Sequence, residues 1–346
     1  MLPKIKGANS SPQACEDTSH NICLTTTPIT YLSNTKHRSK FTHKSVMATS
    51  EIPQKQKAVV YDQPGTVSTK VVELDVPEPG AGEVLINLFV EPCQAGAEGL
   101  CVNQKVSGYY TPGTFQQYVL GPAHYVTPIP DGLESDAAAP MLCAGLTVYA
   151  ALKRSNARPG QWVVISGAGG GLGHIAVQLA SKGMGLRVIG VDHGSKEELV
   201  KESGAEHFID LTKFPMDDNG KAISDHVKSL AGGLGAHAVI VCTSSNAAYA
   251  QSVQFLRFNG TMVCVGLPEN NPQPIASALP VTLIGKHCYI TGSAVGNRRE
   301  AIEVLDFAAR GIVKTHFRTE KMDKLTDVFE EMREGKLQGR VVLDLS

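Results

Sequence analysis

Residues 161–192 constrain the fold of this chain more than any other stretch. The short apolar run 162–165 predicts a buried strand, which stops at a cluster of glycines. Apolar residues then recur at helical spacing from Leu172, and residues 186–191 predict a second buried strand that ends at Asp192. A strand, glycine turn, helix and strand in this order form a βαβ unit, which predicts a parallel sheet.

The turn between the first strand and the helix has the composition of a dinucleotide site. It consists of Gly167, Ala168, Gly169, Gly170, Gly171, Leu172 and Gly173. Gly170 and Gly173 have the spacing of the last two glycines of the dinucleotide fingerprint, with Ala168 at the first position, although the neighbouring glycines leave other registers open. Asp192 follows about 20 residues later, where an acid binds ribose hydroxyls and repels a 2′-phosphate. The sequence therefore predicts NAD rather than NADP.

Composition excludes several classes of partner. The chain has 346 residues, enough for two domains, and a net charge of −1 with no basic stripe, so we expect no nucleic-acid partner. No apolar run approaches the roughly 18 residues of a membrane helix, so we expect no membrane partner. The eight cysteines are scattered along the chain, which favours a reducing compartment and a cytoplasmic location.

Residues 1–46 differ from the rest of the chain. They are rich in Ser and Thr, contain six Lys or Arg and two acids, and lack sustained periodicity. We expect a disordered leader before a natural start at Met47. A mitochondrial presequence, and thus a matrix location, is the alternative.

The remaining pattern suggests two kinds of structure. Short strands punctuated by Pro and Gly follow Met47, whereas strands and helices alternate from residue 161, as in a parallel sheet with helices on both faces. Helices are predicted over 137–152 and 247–258, and a final strand over 340–345.

Several motifs in fixed order resemble one enzyme family. Besides the glycine turn, they are Cys143-Ala144-Gly145-Leu146-Thr147-Val148-Tyr149, Gly292-Ser293-Ala294-Val295-Gly296-Asn297-Arg298 and Gly339-Arg340. Over residues 47–346 the chain resembles the zinc-dependent, NAD-linked alcohol dehydrogenases of the medium-chain superfamily, in their fungal branch.

This resemblance implies an α/β fold with a doubly wound Rossmann domain over 154–297. It also implies a GroES-like β-barrel domain over 47–153, to which residues 298–346 return. The implied reaction is reversible hydride transfer between NAD and a primary alcohol or aldehyde, in a homo-oligomer.

The resemblance also assigns roles to residues of the cofactor site. Asp192 would bind the adenosine ribose with Lys196 beside it, and the glycine turn would face the pyrophosphate. Val265, Gly266 and Leu267 would line the nicotinamide ribose, and Arg340 would bind a phosphate. The alternatives are a solvated Lys196, core positions for Val265 and Leu267, and a surface ion pair for Arg340.

The zinc ligands of the family are incomplete here. Its catalytic zinc is bound by cysteine in a Cys-His-Thr/Ser-Asp motif, by histidine in a Gly-His-Glu motif and by a later cysteine, which corresponds to Cys143. The first two motifs occur nowhere in the chain. Of the four structural-zinc cysteines, Cys93 and Cys101 fit the last two, while Asn87 and Val90 stand at the others.

We therefore expect that roughly 50 to 60 residues of the catalytic domain are missing near Asn87, by comparison with an ordinary length for this plan. A spliced-out exon and an error in the predicted gene both explain the gap. With Cys143 as the one remaining catalytic ligand, metal chemistry should be impaired, because a catalytic zinc needs three protein ligands.

Three interpretations follow. The first is an alcohol dehydrogenase with an intact NAD site and weak or absent activity. The second is a non-catalytic NAD-binding protein or a nonfunctional fragment. The third is a zinc-free enone or quinone reductase, which the motif around Cys143 disfavours. Which alcohol would be used is not encoded in these motifs.

Overall fold

The structure is a computed structural model that describes residues 53–63, 67–79, 83–87, 105–122, 126–215, 219–268 and 271–345. All of them belong to one compact unit, Ile52–Ser346. The predicted leader over 1–46, as well as Cys93 and Cys101, lies outside the described residues.

The centre of the fold is a six-stranded parallel sheet. Its strands are β5 (Trp162–Ser166), β6 (Arg187–Asp192), β7 (His207–Asp210), β8 (Ala236–Val241), β9 (Leu256–Cys264) and β10 (Tyr289–Gly292). They lie in the order β7-β6-β5-β8-β9-β10. This is the doubly wound Rossmann order, so the predicted α/β class is confirmed. Ligands of such sheets bind where the order reverses, at the carboxyl ends of β5 and β8.

Helices cover both faces of this sheet. They are α3 (Gly173–Gln178), α4 (Glu197–Ser203), α5 (Lys221–Leu230), α6 (Asn246–Phe255), α7 (Pro280–Lys286) and α8 (Arg298–Ala309). Val163 and Ile165 of β5 lie in one buried cluster, while Trp162 and Val164 lie in the cluster on the other face. Alternate side chains of a strand point to opposite faces, so a strand buried on both sides has a continuous apolar sequence.

A long helix precedes the sheet. It runs over Ser135–Arg154 and consists of α1 (Ser135–Pro140), a π-helical segment (Met141–Gly145) and α2 (Leu146–Arg154). By length and composition it passes as a membrane span, but 61% of its most apolar window is buried in the fold. That burial is typical of a core helix.

The β-rich part consists of three two-stranded sheets in the described residues. They pair β1 (Lys55–Tyr61) with β2 (Thr69–Asp75), β3 (Glu83–Asn87) with β4 (Tyr118–Pro122), and β11 (Phe317–Lys321) with β12 (Arg340–Asp344). A bridge between Ala58 and Gln116 connects β1 to the chain before β4. The described parts of these sheets do not close into the barrel that the resemblance implies.

The two ends of the described chain meet in this region. The Thr69 and Thr326 hydroxyls are 2.6 Å apart. The rings of Phe115 and Phe329 pack edge to face, with Phe329 on α9 (Leu325–Arg333). Helix α9 therefore packs against the β-rich part.

One predicted boundary differs from the structure, and two elements were not predicted. The helix predicted over 247–258 ends at Phe255, because Leu256 is fully buried and begins β9 opposite Ala236. Helix α7 was not predicted because it buries none of its residues and so has no amphipathic pattern. Strand β11 was not predicted because its sequence is mostly charged and polar.

Candidate dinucleotide site

The glycine turn folds back on itself at the carboxyl end of β5. Gly167 has φ +78°, and its N–H donates to Val191 O at 2.9 Å. The Gly170 N–H donates to Gly167 O at 3.2 Å, and a side chain on Gly173 would overlap that same carbonyl. The turn therefore needs glycine for its positive φ at Gly167 and for close backbone packing at Gly173.

Asp192 lies directly beside this turn, at the carboxyl end of β6. Its Oδ2 accepts the Gly169 N–H at 2.8 Å, and its Oδ1 accepts the His193 N–H at 2.7 Å. A Cβ on Gly169 would overlap the Lys196 side chain and lie 3.4 Å from Asp192 Oδ2. The structure thus brings Asp192 and Lys196 together at Gly169.

Arg340 reaches the same turn from the far end of the sequence. It is the first residue of β12, and its Nε donates to Gly171 O at 3.0 Å. A Cβ on Gly171 would lie 2.7 Å from Gly339 O and 2.8 Å from Arg340 Nε. Arg340 is therefore no isolated surface residue, because its guanidinium is bonded to the glycine turn.

The residues predicted to line the nicotinamide ribose follow β9. The Gly266 N–H donates to Val241 O at 2.9 Å, and a Cβ on Gly266 would lie 2.5 Å from the Thr243 carbonyl carbon. A Cβ on Gly167 would lie 3.1 Å from Thr243 Cβ. Both glycines therefore pack on Thr243, at the point where the strand order reverses.

The two neighbours of Gly266 differ in environment. Val265 packs against the core, whereas Leu267 is 74% exposed, which rules out a core position for it. Tyr249, which the sequence did not single out, donates from its hydroxyl to Gly266 O at 2.5 Å. Burial raises the pKa of Tyr249 to about 12, so the phenol remains a donor at neutral pH.

His174 was also missed at the sequence level. It immediately follows Gly173 and is fully buried, with Nδ1 2.8 Å from Gly170 O and Nε2 accepting the His316 N–H at 3.0 Å. Burial lowers the pKa of His174 to about 4. The apolar spacing gave no signal for it, because position 174 lies on the helix face opposite the apolar positions that predicted this helix.

Of the three predicted metal ligands, only Cys143 lies within the described residues. Cys143 is half-buried in the π-helical segment, where its carbonyl accepts the Thr147 hydroxyl at 2.7 Å. Within the described ranges, no group of three or more His, Cys, Asp or Glu side chains is placed to bind a metal ion. The other predicted ligands, Cys93 and Cys101, lie outside those ranges.

Comparison with known proteins identifies the family. A sequence profile described as "Zinc-binding dehydrogenase" matches residues 171–310. Alcohol dehydrogenase 2 of Emericella nidulans is 64% identical over 367 residues, covering 87% of this chain and all of the relative. The chain belongs to the zinc-binding alcohol dehydrogenase family. Alcohol dehydrogenase 1 of the same organism is 43% identical over 256 residues, 74% of this chain and 71% of the relative.

Solved structures agree with this assignment. The alcohol dehydrogenase of Aeropyrum pernix has a TM-score of 0.62 and 28% identity, with 70% of this chain and 68% of that chain covered. An acetophenone reductase of Geotrichum candidum, solved in complex with NAD, has a TM-score of 0.69 at 23% identity, with coverage of 85% and 98%. The latter supports the fold alone.

The alignment with Alcohol dehydrogenase 2 also shows an internal deficit. Because 87% of 346 residues is about 301, about 66 of the 367 aligned positions lie opposite no residue of this chain. This deficit is close in size to the missing segment inferred from the absent zinc motifs.

Proposed function

We propose that this alcohol dehydrogenase family member binds NAD at the glycine turn and that its metal-dependent chemistry is impaired. The implied reaction is hydride transfer between a primary alcohol, or the corresponding aldehyde, and NAD. One observation carries the cofactor assignment: Asp192, Lys196 and Arg340 come from separate elements and converge on Gly169 and Gly171.

The residues of the turn fit the parts of a dinucleotide. When bound, NAD supplies the hydride acceptor for alcohol oxidation. The Asp192 carboxylate is oriented by two backbone N–H groups and would accept ribose hydroxyls, while its charge disfavours a 2′-phosphate. The Arg340 guanidinium has a planar array of donors suited to a phosphate, and its Nε is already bonded to Gly171.

This chain has too few of the family's ligands to form a complete zinc site. In a catalytic site, zinc takes three protein ligands and lowers the pKa of a bound water or alcohol. Cys143 is the one catalytic ligand for which the chain has the family motif, and Cys93 with Cys101 would be half of a structural site. We therefore assign no reaction step to zinc and expect little alcohol oxidation.

The test uses the full purified chain. We expect calorimetric titration to show NAD binding, elemental analysis to show less than one zinc per chain, and an ethanol assay to show little NADH formation. Gly171→Ala should weaken NAD binding, because its Cβ would crowd Gly339 O. Gly285→Ala is the matched control, since a Cβ there has no heavy atom within 4 Å.

Each contrary outcome separates the alternatives. Absence of NAD binding would refute the proposal. Stoichiometric zinc with ethanol turnover would show a complete enzyme. NAD binding with no turnover on any substrate would indicate a non-catalytic protein, and metal-free reduction of an enone would indicate the zinc-free reductase.

We further propose a homo-oligomer assembled through the Rossmann domain. Among the described strands, β10 pairs on one side alone, with β9. Apolar side chains on and beside it are more than half exposed: Leu279, Val281, Ile284 and Tyr289. Pairing of two copies would cover them. Val281→Asp should shift the mass measured by light scattering toward the monomer, and an unchanged oligomer would refute this interface.

We propose a cytoplasmic location, with the mitochondrial matrix as the alternative if residues 1–46 act as a presequence. Cys242, Cys264 and Cys288 form no disulfides, which is compatible with either reducing compartment. Imaging a C-terminal fluorescent fusion, with and without residues 1–46, distinguishes the two locations.

A further inference from the structure

Helix α3 is buried on all sides and carries two polar residues one turn apart, on the same face of the helix. His174 is fully buried and Gln178 is 6% exposed, and between them lie Ile175, Ala176 and Val177, all fully buried. Burying an imidazole and an amide is costly unless both find hydrogen-bond partners. Neither residue belongs to the nucleotide contacts proposed above.

Both side chains bind the backbone of one extended segment before β11. Gln178 Oε1 accepts the Lys314 N–H at 2.9 Å, and Gln178 Nε2 donates to Lys314 O at 2.9 Å. One turn earlier, His174 Nε2 accepts the His316 N–H at 3.0 Å. Residues four apart on a helix rise about 6 Å, and residues two apart in an extended chain span about 6.6 Å, so the two spacings match.

His174 also binds the glycine turn. Because Nε2 accepts from His316, the proton must be on Nδ1, which then donates to Gly170 O at 2.8 Å. Burial opposes protonation of the ring, so this tautomer is the form present at neutral pH. One imidazole therefore connects the turn to the extended segment.

The connection continues to Arg340 and returns to the turn. His316 O accepts the Arg340 N–H at 2.9 Å, and Arg340 Nε donates to Gly171 O at 3.0 Å. The hydrogen bonds thus form a closed loop through Gly170, His174, His316, Arg340 and Gly171. An arginine whose backbone and side chain are both hydrogen-bonded loses less conformational entropy on binding a phosphate than an unrestrained arginine does.

We propose that His174 and Gln178 are positioning residues that fix Arg340 at the glycine turn for binding the pyrophosphate of a dinucleotide. This inference rests on the proposed NAD site and adds to it the residues that determine where Arg340 lies. It also means that the segment from Lys314 to Arg340, which leads to the β-rich part, is coupled to nucleotide binding.

The experiment compares nucleotide fragments in the full-length chain. His174→Phe removes both ring hydrogen bonds, His174→Asn is the conservative variant, and Gln178→Met removes the bonds to Lys314. Ser224→Ala is the control. Ser224 lies on α5, which packs on the opposite face of the sheet, and its buried hydroxyl donates to Gln254 O at 2.9 Å. Calorimetry measures binding of NAD, ADP-ribose and adenosine to each variant.

We expect His174→Phe to weaken NAD and ADP-ribose by at least tenfold and to change adenosine by less than twofold. His174→Asn and Gln178→Met should weaken the two pyrophosphate ligands by about three- to fivefold, a smaller loss because part of the hydrogen-bond network remains. Ser224→Ala should leave all three affinities unchanged. This selectivity for pyrophosphate ligands is what a purely structural role would not produce.

A second measurement does not depend on nucleotide. Hydrogen exchange at the His316 and Arg340 amides should be at least tenfold faster in Gln178→Met than in Ser224→Ala. Equal exchange rates in Gln178→Met and Ser224→Ala would overturn the positioning role. So would a folded His174→Phe that binds NAD with unchanged affinity, or one that loses affinity for adenosine and NAD equally. If the parent chain binds no NAD while Gln178→Met accelerates exchange, the proposed function fails and the hydrogen-bonded connection stands.

Discussion

Asp192 has two roles at the end of β6, and they lead to separable predictions. Its carboxylate accepts the Gly169 N–H and so holds the glycine turn, and its charge is the feature expected to select NAD. The position of an acid after a βαβ unit can be predicted from sequence spacing. Its bond to Gly169 cannot, because that bond depends on how the turn closes.

Substitution of Asp192 by Asn should change cofactor preference. An amide can still accept from Gly169 but carries no charge, so we expect NAD to bind about tenfold more weakly, equivalent to about 1.4 kcal/mol, and NADP to bind more tightly than before. Asp192→Ala should weaken NAD further, because the turn also loses its acceptor. Dissociation constants for both nucleotides are the measurement, and an unchanged preference for NAD would contradict the charge argument.

His174 should make stability depend on pH. Its pKa is lowered to about 4, first by burial and then by electrostatic interaction with Arg340 and His316, while the bond to Gly170 O opposes the shift. The unfolded chain has a histidine pKa of about 6.5, so between these values the unfolded state alone binds the proton. The stability that the neutral His174 contributes is therefore fully present above pH 6.5. As the pH falls toward 4, the free energy of unfolding decreases by about 3 kcal/mol.

Urea denaturation at pH 7, 5.5 and 4.5 measures this effect. The free energy of unfolding of His174→Phe should fall less steeply with acid than that of the parent chain. His237→Asn is the control, because His237 is only partly buried and its pKa is lowered less. Parallel pH profiles for His174→Phe and the parent would show that His174 does not remain neutral in the folded protein.

At the scale of elements, the strands were predicted better than the connections between them. The runs in β5, β6 and β8 are apolar because both faces are buried, and that property is visible in the sequence. The end of α6 was not visible, because the following Leu256 continues the apolar pattern while already pairing in β9. The end of α6 is also bound by a side chain distant in sequence, that of Lys286.

Lys286 of α7 binds the carboxyl end of α6. Its Nζ donates to Leu256 O at 2.9 Å and to Val253 O at 3.3 Å, and burial lowers its pKa. Lys286→Met keeps the apolar stem but removes the donor to Leu256 O, whereas Val253 O keeps the Leu256 N–H, so we expect the free energy of unfolding to fall by about 1–2 kcal/mol.

Thermal unfolding followed by circular dichroism measures this loss as a lower Tm. Lys336→Met is the matched control, because Lys336 pairs with Glu334 at an exposed site and such pairs contribute little. Equal Tm values for the two variants would show that Lys286 does not stabilise the end of α6.

At the scale of the whole molecule, the Rossmann part and the β-rich part differ in completeness. The former has a six-stranded sheet with two buried clusters, whereas the latter has three two-stranded sheets in the described residues. On these sheets and beside them, Tyr61, Val71, Leu74 and Phe115 are each more than 40% exposed. Such apolar surface favours aggregation unless another segment covers it.

Insertion of the corresponding segment of Alcohol dehydrogenase 2 between Asn87 and Cys93 should restore what is missing. We expect the chimera to bind zinc stoichiometrically, to oxidise ethanol with NAD and to unfold at a higher temperature than the parent chain. Zinc content, NADH formation and Tm are the measurements, with an unrelated flexible insert of equal length as the control. A chimera that binds no zinc would contradict the inferred gap. Stoichiometric zinc in the parent chain would contradict it as well.

The sequence by itself determined the Rossmann βαβ unit, the glycine turn, the placement of Asp192 and the absence of two zinc motifs. These features are local, since each depends on spacing within about 30 residues. Only the tertiary structure decided that Arg340 bonds Gly171 and that His174 joins Gly170 to His316. These partners are up to 169 residues apart, and their contacts depend on how helix, sheet and C-terminal segment pack, which no local pattern records.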